Sequence, residues 1–210
     1  MGADDADVDT VTSLGGLRRI YAAPREVIEK KRLARLDAHA RAFIAHSPFL
    51  VLATADAQGR ADASPRGDRP GFVKVFGDTT LELPDRPGNN LIDSLRNILA
   101  NPRVGLVFLV PGRDETLRVN GRARIRAGRE TLERHAVDGK LPRSVLEITA
   151  EEVYFHCGKA LIRSRLWEPE AQAGAEALPS LGRILADQIA GENAEALEKG
   201  LRESYEKRLY

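Results

Sequence analysis

With 210 residues, the chain is long enough to form one large domain with a buried core. Lys and Arg number 32 against 31 Asp and Glu, and the resulting net charge of +1 excludes a whole-molecule field that would draw the protein onto nucleic acid or a membrane surface. The longest apolar runs, residues 49–55 and 104–110, are too short to span a bilayer.

Standard catalytic motifs do not occur in the sequence. It has no glycine-rich phosphate loop, no dinucleotide fingerprint, no zinc-protease helix and no serine-hydrolase elbow. The single Cys157 excludes an intramolecular disulfide, and the four histidines are scattered, so we expect no metal site and no protein nucleophile. The acidic start lacks the pattern of a signal peptide, which predicts a cytoplasmic protein.

The N-terminal part of the chain is predicted to be helical after a short tail. Residues 1–13 contain four Asp and little to bury, which is typical of a disordered tail. Pro24 suits the first turn of a helix over 25–33, and a second helix follows from Asp37. We expect N-terminal helices within residues 24–46.

The hydrophobic pattern then changes to that of strands. We predict strands at 49–55, 60–66, 72–76 and 79–83 in a consecutive meander, a helix over 91–99, and further strands at 103–110, 115–127 and 144–157. Along the long strand 115–127, Arg118 and every second residue after it form a basic face, whereas Leu117 and its alternate partners form an apolar face. Six or seven strands in this order favour a closed antiparallel barrel with helical decoration.

The C-terminal part is rich in Ala, Glu and Leu. Two amphipathic helices, over 178–189 and 192–208, are predicted there, and their apolar faces need a partner surface. We interpret residues 1–210 as a single domain.

The stretch from Ser64 to Asn90 concentrates turns and cations, which favours a local anion site. Arg66, Lys74 and Arg86 lie at tightly specified turns and strand positions. Asn89 or Asn90 is predicted to cap the following helix, which would place free backbone N–H groups beside Arg86.

Five motifs occur in order between residues 40 and 165. They are Phe49-Leu-Val-Leu-Ala-Thr, Ser64-Pro-Arg-Gly-Asp-Arg-Pro-Gly-Phe-Val-Lys74, Asp85-Arg-Pro-Gly-Asn-Asn90, Asn101-Pro102 and Glu115-Thr-Leu-Arg-Val-Asn-Gly121. Together they resemble the FMN-binding split-barrel group related to pyridoxamine 5′-phosphate oxidase. The subgroup that the chain resembles most is described only as FMN-dependent enzymes.

The resemblance implies a mainly β fold with helices, an antiparallel split β-barrel over residues 47–167 with helical N- and C-terminal additions. It also implies a homodimer that holds one FMN in each of two clefts between the subunits. The residues that would contact FMN are Ser64, Arg66, Lys74, Arg86, Asn89, Asn90, Arg118 and Arg163. Arg66 and Lys74 would meet the flavin ring, and Arg86 with the two asparagines would meet the phosphate.

One departure bears on the activity. The oxidase has an Arg-Leu-His-Asp-Arg segment for its substrate, and this chain has Lys159-Ala-Leu-Ile-Arg163 instead. We therefore expect an FMN-dependent oxidoreductase whose small-molecule substrate is not pyridoxamine phosphate, with NAD(P)H as a candidate donor. The first alternative is a non-catalytic protein that stores flavin or another phosphorylated ligand. The second, a nucleic-acid binder that uses the basic face beginning at Arg118, is disfavoured because no aromatic residue interleaves with those arginines.

Overall fold

The computed structural model describes residues 10–210, which belong to two compact units. The first unit ends at Arg32 and contains α1 (Leu14–Ile20) and α2 (Glu26–Lys30). The predicted disordered tail falls largely on residues 1–9, which lie outside the described residues. Helix α1 is not among the predicted helices. It begins where the Ser13 side chain accepts a hydrogen bond from the backbone of Gly16.

The second unit, Leu33–Tyr210, contains the remaining elements. Its strands are β1 (Phe49–Ala55), β2 (Ala61–Gly67), β3 (Lys74–Phe76), β4 (Thr80–Asp85), β5 (Arg103–Leu109), β6 (Thr116–Arg126) and β7 (Ser144–His156). Its α-helices are α3 (Ala38–His46), α4 (Asp93–Ala100), α5 (Arg129–Glu133), α6 (Lys159–Ser164), α7 (Leu181–Gln188) and α8 (Ala194–Lys207), and short 3₁₀ helices occupy Pro169–Gln172 and Ala175–Ala177. No helix among residues 10–210 is both long and apolar enough to cross a membrane.

All seven strands form one antiparallel sheet in the order β2-β1-β5-β6-β7-β4-β3. The prediction that the first four strands form a consecutive meander is wrong, since β2 and β3 lie at opposite edges of the sheet. The segment between them does not make a tight hairpin. It buries Phe72 and Val73 in the core, which carries the chain across to the other edge.

The sheet is strongly curved. Asp68, just after β2, contacts Arg86, just after β4, although four strands separate β2 from β4 in the sheet. No ladder joins β2 to β3 within residues 10–210, so the barrel is split at this point. The predicted mainly β split barrel with helical additions is confirmed. The largest fully buried side chains form its core: Phe108, Leu36, Ile44, Leu50, Leu52, Leu81, Leu83, Leu106, Leu117, Leu146, Ile148 and Val119.

Strand β6 alternates as predicted, with Leu117 and Val119 buried and the arginines on the other face. The register shifts between Asn120 and Gly121, where β7 carries one extra residue, Glu151. Gly121 lies so close to β7 that a side chain there would collide with the backbone of Thr149. Glu147 on β7 contacts both Arg124 and Arg126. The row of arginines is therefore partly neutralised by its neighbouring strand.

Candidate functional site

A cleft of about 620 Å³ lies where the segments after β2 and β4 meet the start of β7. Its lining includes five of the residues predicted from the sequence: Ser64, Arg66, Arg86, Asn89 and Asn90. Curvature of the sheet produces this arrangement, since β2 and β4 are not neighbours in the sheet. The predicted residues on strand β2 and those in the turn after β4 therefore line the same cleft.

Strand β2 directs alternate side chains into the cleft. Asp62, Ser64 and Arg66 are half-buried and line it, whereas Ala63 and Pro65 between them are exposed, and only Pro65 of these two also borders the cleft. Arg66 donates through Nη1 to Ser64 Oγ and, over 2.9 Å, to the Pro65 carbonyl. A guanidinium has more donors than these two contacts use, so Arg66 is held at the wall with donors left for a ligand.

Arg86 lines the same cleft but is held mainly by the protein. Its Nε donates to Asp68 Oδ2 over 2.8 Å, and its Nη1 donates to the His135 carbonyl over 2.9 Å. Tyr210 donates its hydroxyl to Asp68 Oδ1 over 2.6 Å, and its ring lies 5.4 Å from the guanidinium carbon of Arg86. Burial alone would raise the pKa of Asp68, but hydrogen bonds from Tyr210, the Arg69 backbone and Arg86 outweigh it and lower that pKa.

The predicted cap at Asn89 or Asn90 is wrong, because helix α4 begins only at Asp93 and has Ile92 at its N-cap position. Asn89 Oδ1 accepts a hydrogen bond from the Leu91 backbone instead, at 3.1 Å. Asn90 and Ile92 adopt positive φ angles of 64° and 53°, which turn the chain before the helix can start. The loop therefore supplies side chains to the cleft rather than a helix end beside Arg86.

Two further lining residues, Arg143 and Ser144, were missed by sequence reasoning. Arg143 lies just before β7 and donates from Nη1 to Asn90 Oδ1 over 2.7 Å. Ser144 is 8% exposed, and its buried Oγ has no hydrogen-bond partner within residues 10–210. The available signal is the run Pro142-Arg143-Ser144 at a strand start, which puts a cation and a hydroxyl together much as Ser64-Pro65-Arg66 does.

Carboxylates also line the cleft. Asp62 accepts a hydrogen bond from Ser94 Oγ at 2.8 Å, which links β2 to helix α4. Asp85, at the end of β4, is half-buried, and burial raises its pKa while the charges of Arg66 and Arg143 oppose that rise. Asp85 is thus the carboxylate that competes with a ligand for these two arginines.

A buried polar network lies behind the Arg86 side of the cleft. His135 Nε2 is 2.8 Å from Glu82 Oε2, and Arg134 donates to Glu82 Oε1 over 2.6 Å. Burial lowers the pKa of His135 despite its contact with Glu82. For Glu82, burial alone would raise the pKa, but hydrogen bonds from Arg134 and His135 lower it. We therefore assign a neutral His135 that donates to an ionised Glu82 at neutral pH.

Three of the predicted contact residues do not line the cleft. Lys74 on β3 donates from Nζ to the Arg134 carbonyl. Arg118 on β6 places its guanidinium carbon 5.3 Å from the centre of the Tyr154 ring. Arg163 lies exposed on α6. Their part in a cofactor site stays a prediction.

The cleft suits a polar, anionic ligand of cofactor size. Small-molecule and cofactor pockets typically enclose about 300–1,000 Å³, which includes the volume found here. Three arginines reach it from three different segments, and Ser144 gives it a buried hydroxyl that has no hydrogen-bond partner among residues 10–210. The residues present therefore fit FMN, whose phosphate requires cations and hydroxyl or amide donors.

The sequence profile of pyridoxamine 5′-phosphate oxidase matches residues 36–157, more than half of the chain. No curated protein sequence matches it. Among solved structures, the chain is similar to HupZ from Group A Streptococcus, with 18% identity, a TM-score of 0.47 and coverage of 57% of this chain and 92% of that one.

A second similar structure is an FMN-binding protein from Syntrophomonas wolfei subsp. wolfei. It has 16% identity and a TM-score of 0.47, and the match covers 68% of this chain and 95% of that one. The family assignment depends on the profile, which spans α3 and the whole barrel. On that evidence, the chain belongs to the pyridoxamine 5′-phosphate oxidase family and has its flavin-binding fold.

Proposed function

We propose that the protein binds FMN in the cleft and is an FMN-dependent oxidoreductase. The observation that carries the proposal is the convergence of Arg66 and Arg86, from distant strands of the sheet, on one cleft of cofactor size in a member of this family. Asn89 and Asn90 add amide groups on the same rim. Hydrogen bonds from the two guanidinium groups to the FMN phosphate would be charge-assisted, and such bonds are among the strongest hydrogen bonds in proteins.

The side chains around the cleft would hold and orient the cofactor. Arg66, fixed by Ser64 and Pro65, presents a positive charge that does not have to be ordered when the ligand arrives. Arg86 adds a second charge that is positioned by Asp68. When bound, FMN supplies hydride transfer at its ring system, and the protein supplies orientation and electrostatics.

Replacement of Arg66 tests this proposal. We expect Arg66→Ala to weaken FMN binding by roughly 10-fold to 100-fold, which corresponds to one charge-assisted hydrogen bond. The matched control is Arg60→Ala, since Arg60 precedes the same strand, is exposed and pairs with Asp56. Equal FMN affinity in the two variants, measured by fluorescence titration, would contradict this placement of FMN.

Anaerobic reduction tests the catalytic part of the proposal. The FMN-loaded protein is mixed with NADH, NADPH or a photoreduced deazaflavin, and the flavin absorbance is followed. Reduction at a rate above that of free FMN supports an oxidoreductase. Bound FMN that none of the three donors reduces would contradict it and favour the storage protein.

We further propose a homodimer in which the partner completes the cleft. Leu91 and Ile92, at the cleft rim, are 63% and 54% exposed, and a second copy would cover them. Dimerisation also gives Arg118 and Arg163, which lie away from the cleft of their own chain, a route to a partner's FMN. Light scattering on the FMN-loaded protein should give twice the mass of the 23.0 kDa chain. A protein that binds FMN and remains a monomer in light scattering would contradict the proposal.

A further inference from the structure

Ser144 is a buried hydroxyl without a hydrogen-bond partner in the part of the chain that the structure describes. It is 8% exposed and opens β7, where its backbone is paired with Asp85 of β4. An unpartnered buried hydroxyl costs free energy comparable to a lost hydrogen bond, so native proteins rarely leave one unsatisfied. Because Ser144 lines the cleft, a ligand there can supply the missing partner.

Arg143, the preceding residue, is anchored at the same place. Its backbone N–H donates to the Asp85 carbonyl over 3.2 Å, and its guanidinium donates to Asn90 over 2.7 Å. These contacts hold the side chain over the rim of the cleft. Since they use one guanidinium N–H, the other donors of Arg143 are available to a ligand.

The positive charges of Arg66 and Arg143 both act on one carboxylate in the cleft, that of Asp85. Both guanidinium groups act electrostatically on the Asp85 carboxylate, although one comes from β2 and the other from the start of β7. Arg86 is different, because Asp68 and the His135 carbonyl already accept hydrogen bonds from it. The cations with donors to spare are thus on the Asp85 side of the cleft.

We infer that Arg143 and Ser144 bind the phosphate group of the ligand together with Arg66, and that Arg86 mainly holds the wall in place. The inference rests on the proposed function in taking that ligand to be FMN. It requires a phosphate dianion, or a phosphate monoester, because such a group accepts hydrogen bonds from two guanidinium groups and a hydroxyl at once.

The test compares FMN with riboflavin, which has the same ring system without the phosphate. Affinities are measured by fluorescence titration for the full chain and for Arg143→Ala and Ser144→Ala. We expect Arg143→Ala to lower FMN affinity by roughly 10-fold to 100-fold and leave riboflavin affinity unchanged. The control for loss of one positive charge is Arg129→Ala, since Arg129 pairs with Glu133 outside the cleft and should change neither affinity.

Ser144→Ala provides a second signature that a merely structural serine would not give. Because its Oγ has no partner in the described part of the chain, the substitution should leave the melting temperature of the ligand-free protein unchanged or raise it, while FMN affinity falls about 5-fold or more. Equal losses of FMN and riboflavin affinity, or unchanged FMN affinity in both variants, would overturn the inference.

Inorganic phosphate separates this inference from the proposed function. If the wild type binds phosphate in a thermal-shift titration and Arg143→Ala does not, the phosphate site is supported even if FMN fails to bind. If the wild type, Arg143→Ala and Ser144→Ala bind FMN with equal affinity, FMN binding stands and the phosphate assignment fails. A wild type that binds neither FMN nor phosphate overturns both.

Discussion

Arg86 and Asp68 form a buried ion pair that joins the two walls of the cleft, with Nε and Oδ2 2.8 Å apart and side chains 15% and 3% exposed. The pair links the chain after β2 to the chain after β4. Arg86 therefore has a structural task in addition to any contact with a ligand, which its place in a turn motif does not reveal.

Arg86→Ala should destabilise the protein, because it leaves the Asp68 carboxylate buried without its cation. We expect a loss of about 3–5 kcal/mol in the free energy of unfolding, measured by urea denaturation. The double variant Arg86→Ala, Asp68→Asn removes the uncompensated charge and should recover part of that loss. Wild-type stability in the single variant would show that the pair is not structurally important.

The buried pair of Glu82 and His135 predicts acid sensitivity. The pKa of His135 is lowered from 6.5 and that of Glu82 from 4.5, so the unfolded state binds more protons than the folded state over the range below each value. Stability should thus decrease as the pH falls below about 6.5 and decrease further below about 4.5.

A pH series of melting temperatures for wild type and His135→Gln checks this. Glutamine keeps a donor for Glu82 but does not titrate, so the decrease that starts near pH 6.5 should become smaller in the variant. The same pH dependence in both proteins would contradict the role assigned to His135.

Ile92 has a strained backbone conformation, which glycine would adopt more easily. Its φ of 53° lies in the left-handed region, which is strongly unfavourable for a β-branched residue, and its side chain is 54% exposed. In protein dilute enough to be monomeric, where no second copy covers Ile92, Ile92→Gly should raise the free energy of unfolding by about 1 kcal/mol, whereas Ile92→Ala keeps a Cβ and should gain less. Lower stability of the glycine variant in urea denaturation would mean that packing of Ile92 outweighs its strain.

Asp85 is predicted to oppose anion binding. Asp85→Asn removes a negative charge that acts on Arg66 and Arg143, so FMN should bind up to about 10-fold more tightly at neutral pH. The raised pKa of Asp85 means that acid neutralises it more readily than an ordinary aspartate, which strengthens anion binding in the wild type as the pH falls. Weaker FMN binding in Asp85→Asn at neutral pH would contradict this role.

The strand pattern and the motifs around Arg66 and Arg86 were predictable because both are local properties of the sequence. The alternation along β6 and the apolar run of β1 required only side-chain period and composition. The sheet order was not predictable from adjacent segments. Burial of Phe72 and Val73 sends the chain to the far edge, and only the packed core shows it.

The candidate site was predictable only in part. Ser64 and Arg66 alternate on a strand, and their shared face follows from their spacing. Arg143 and Ser144 join them through curvature of the whole sheet, for which no local pattern exists. Asn89 or Asn90 was assigned to a helix cap because Asn favours that position, whereas the left-handed backbone conformations of Asn90 and Ile92 delay the helix to Asp93.

The visible absorption spectrum of the purified protein, taken after incubation with FMN and removal of the unbound fraction, tests FMN binding most directly. We predict a flavin spectrum that remains with the protein and corresponds to one FMN per chain, with riboflavin retained less well. A colourless protein that also shows no change in FMN fluorescence on titration would contradict the account.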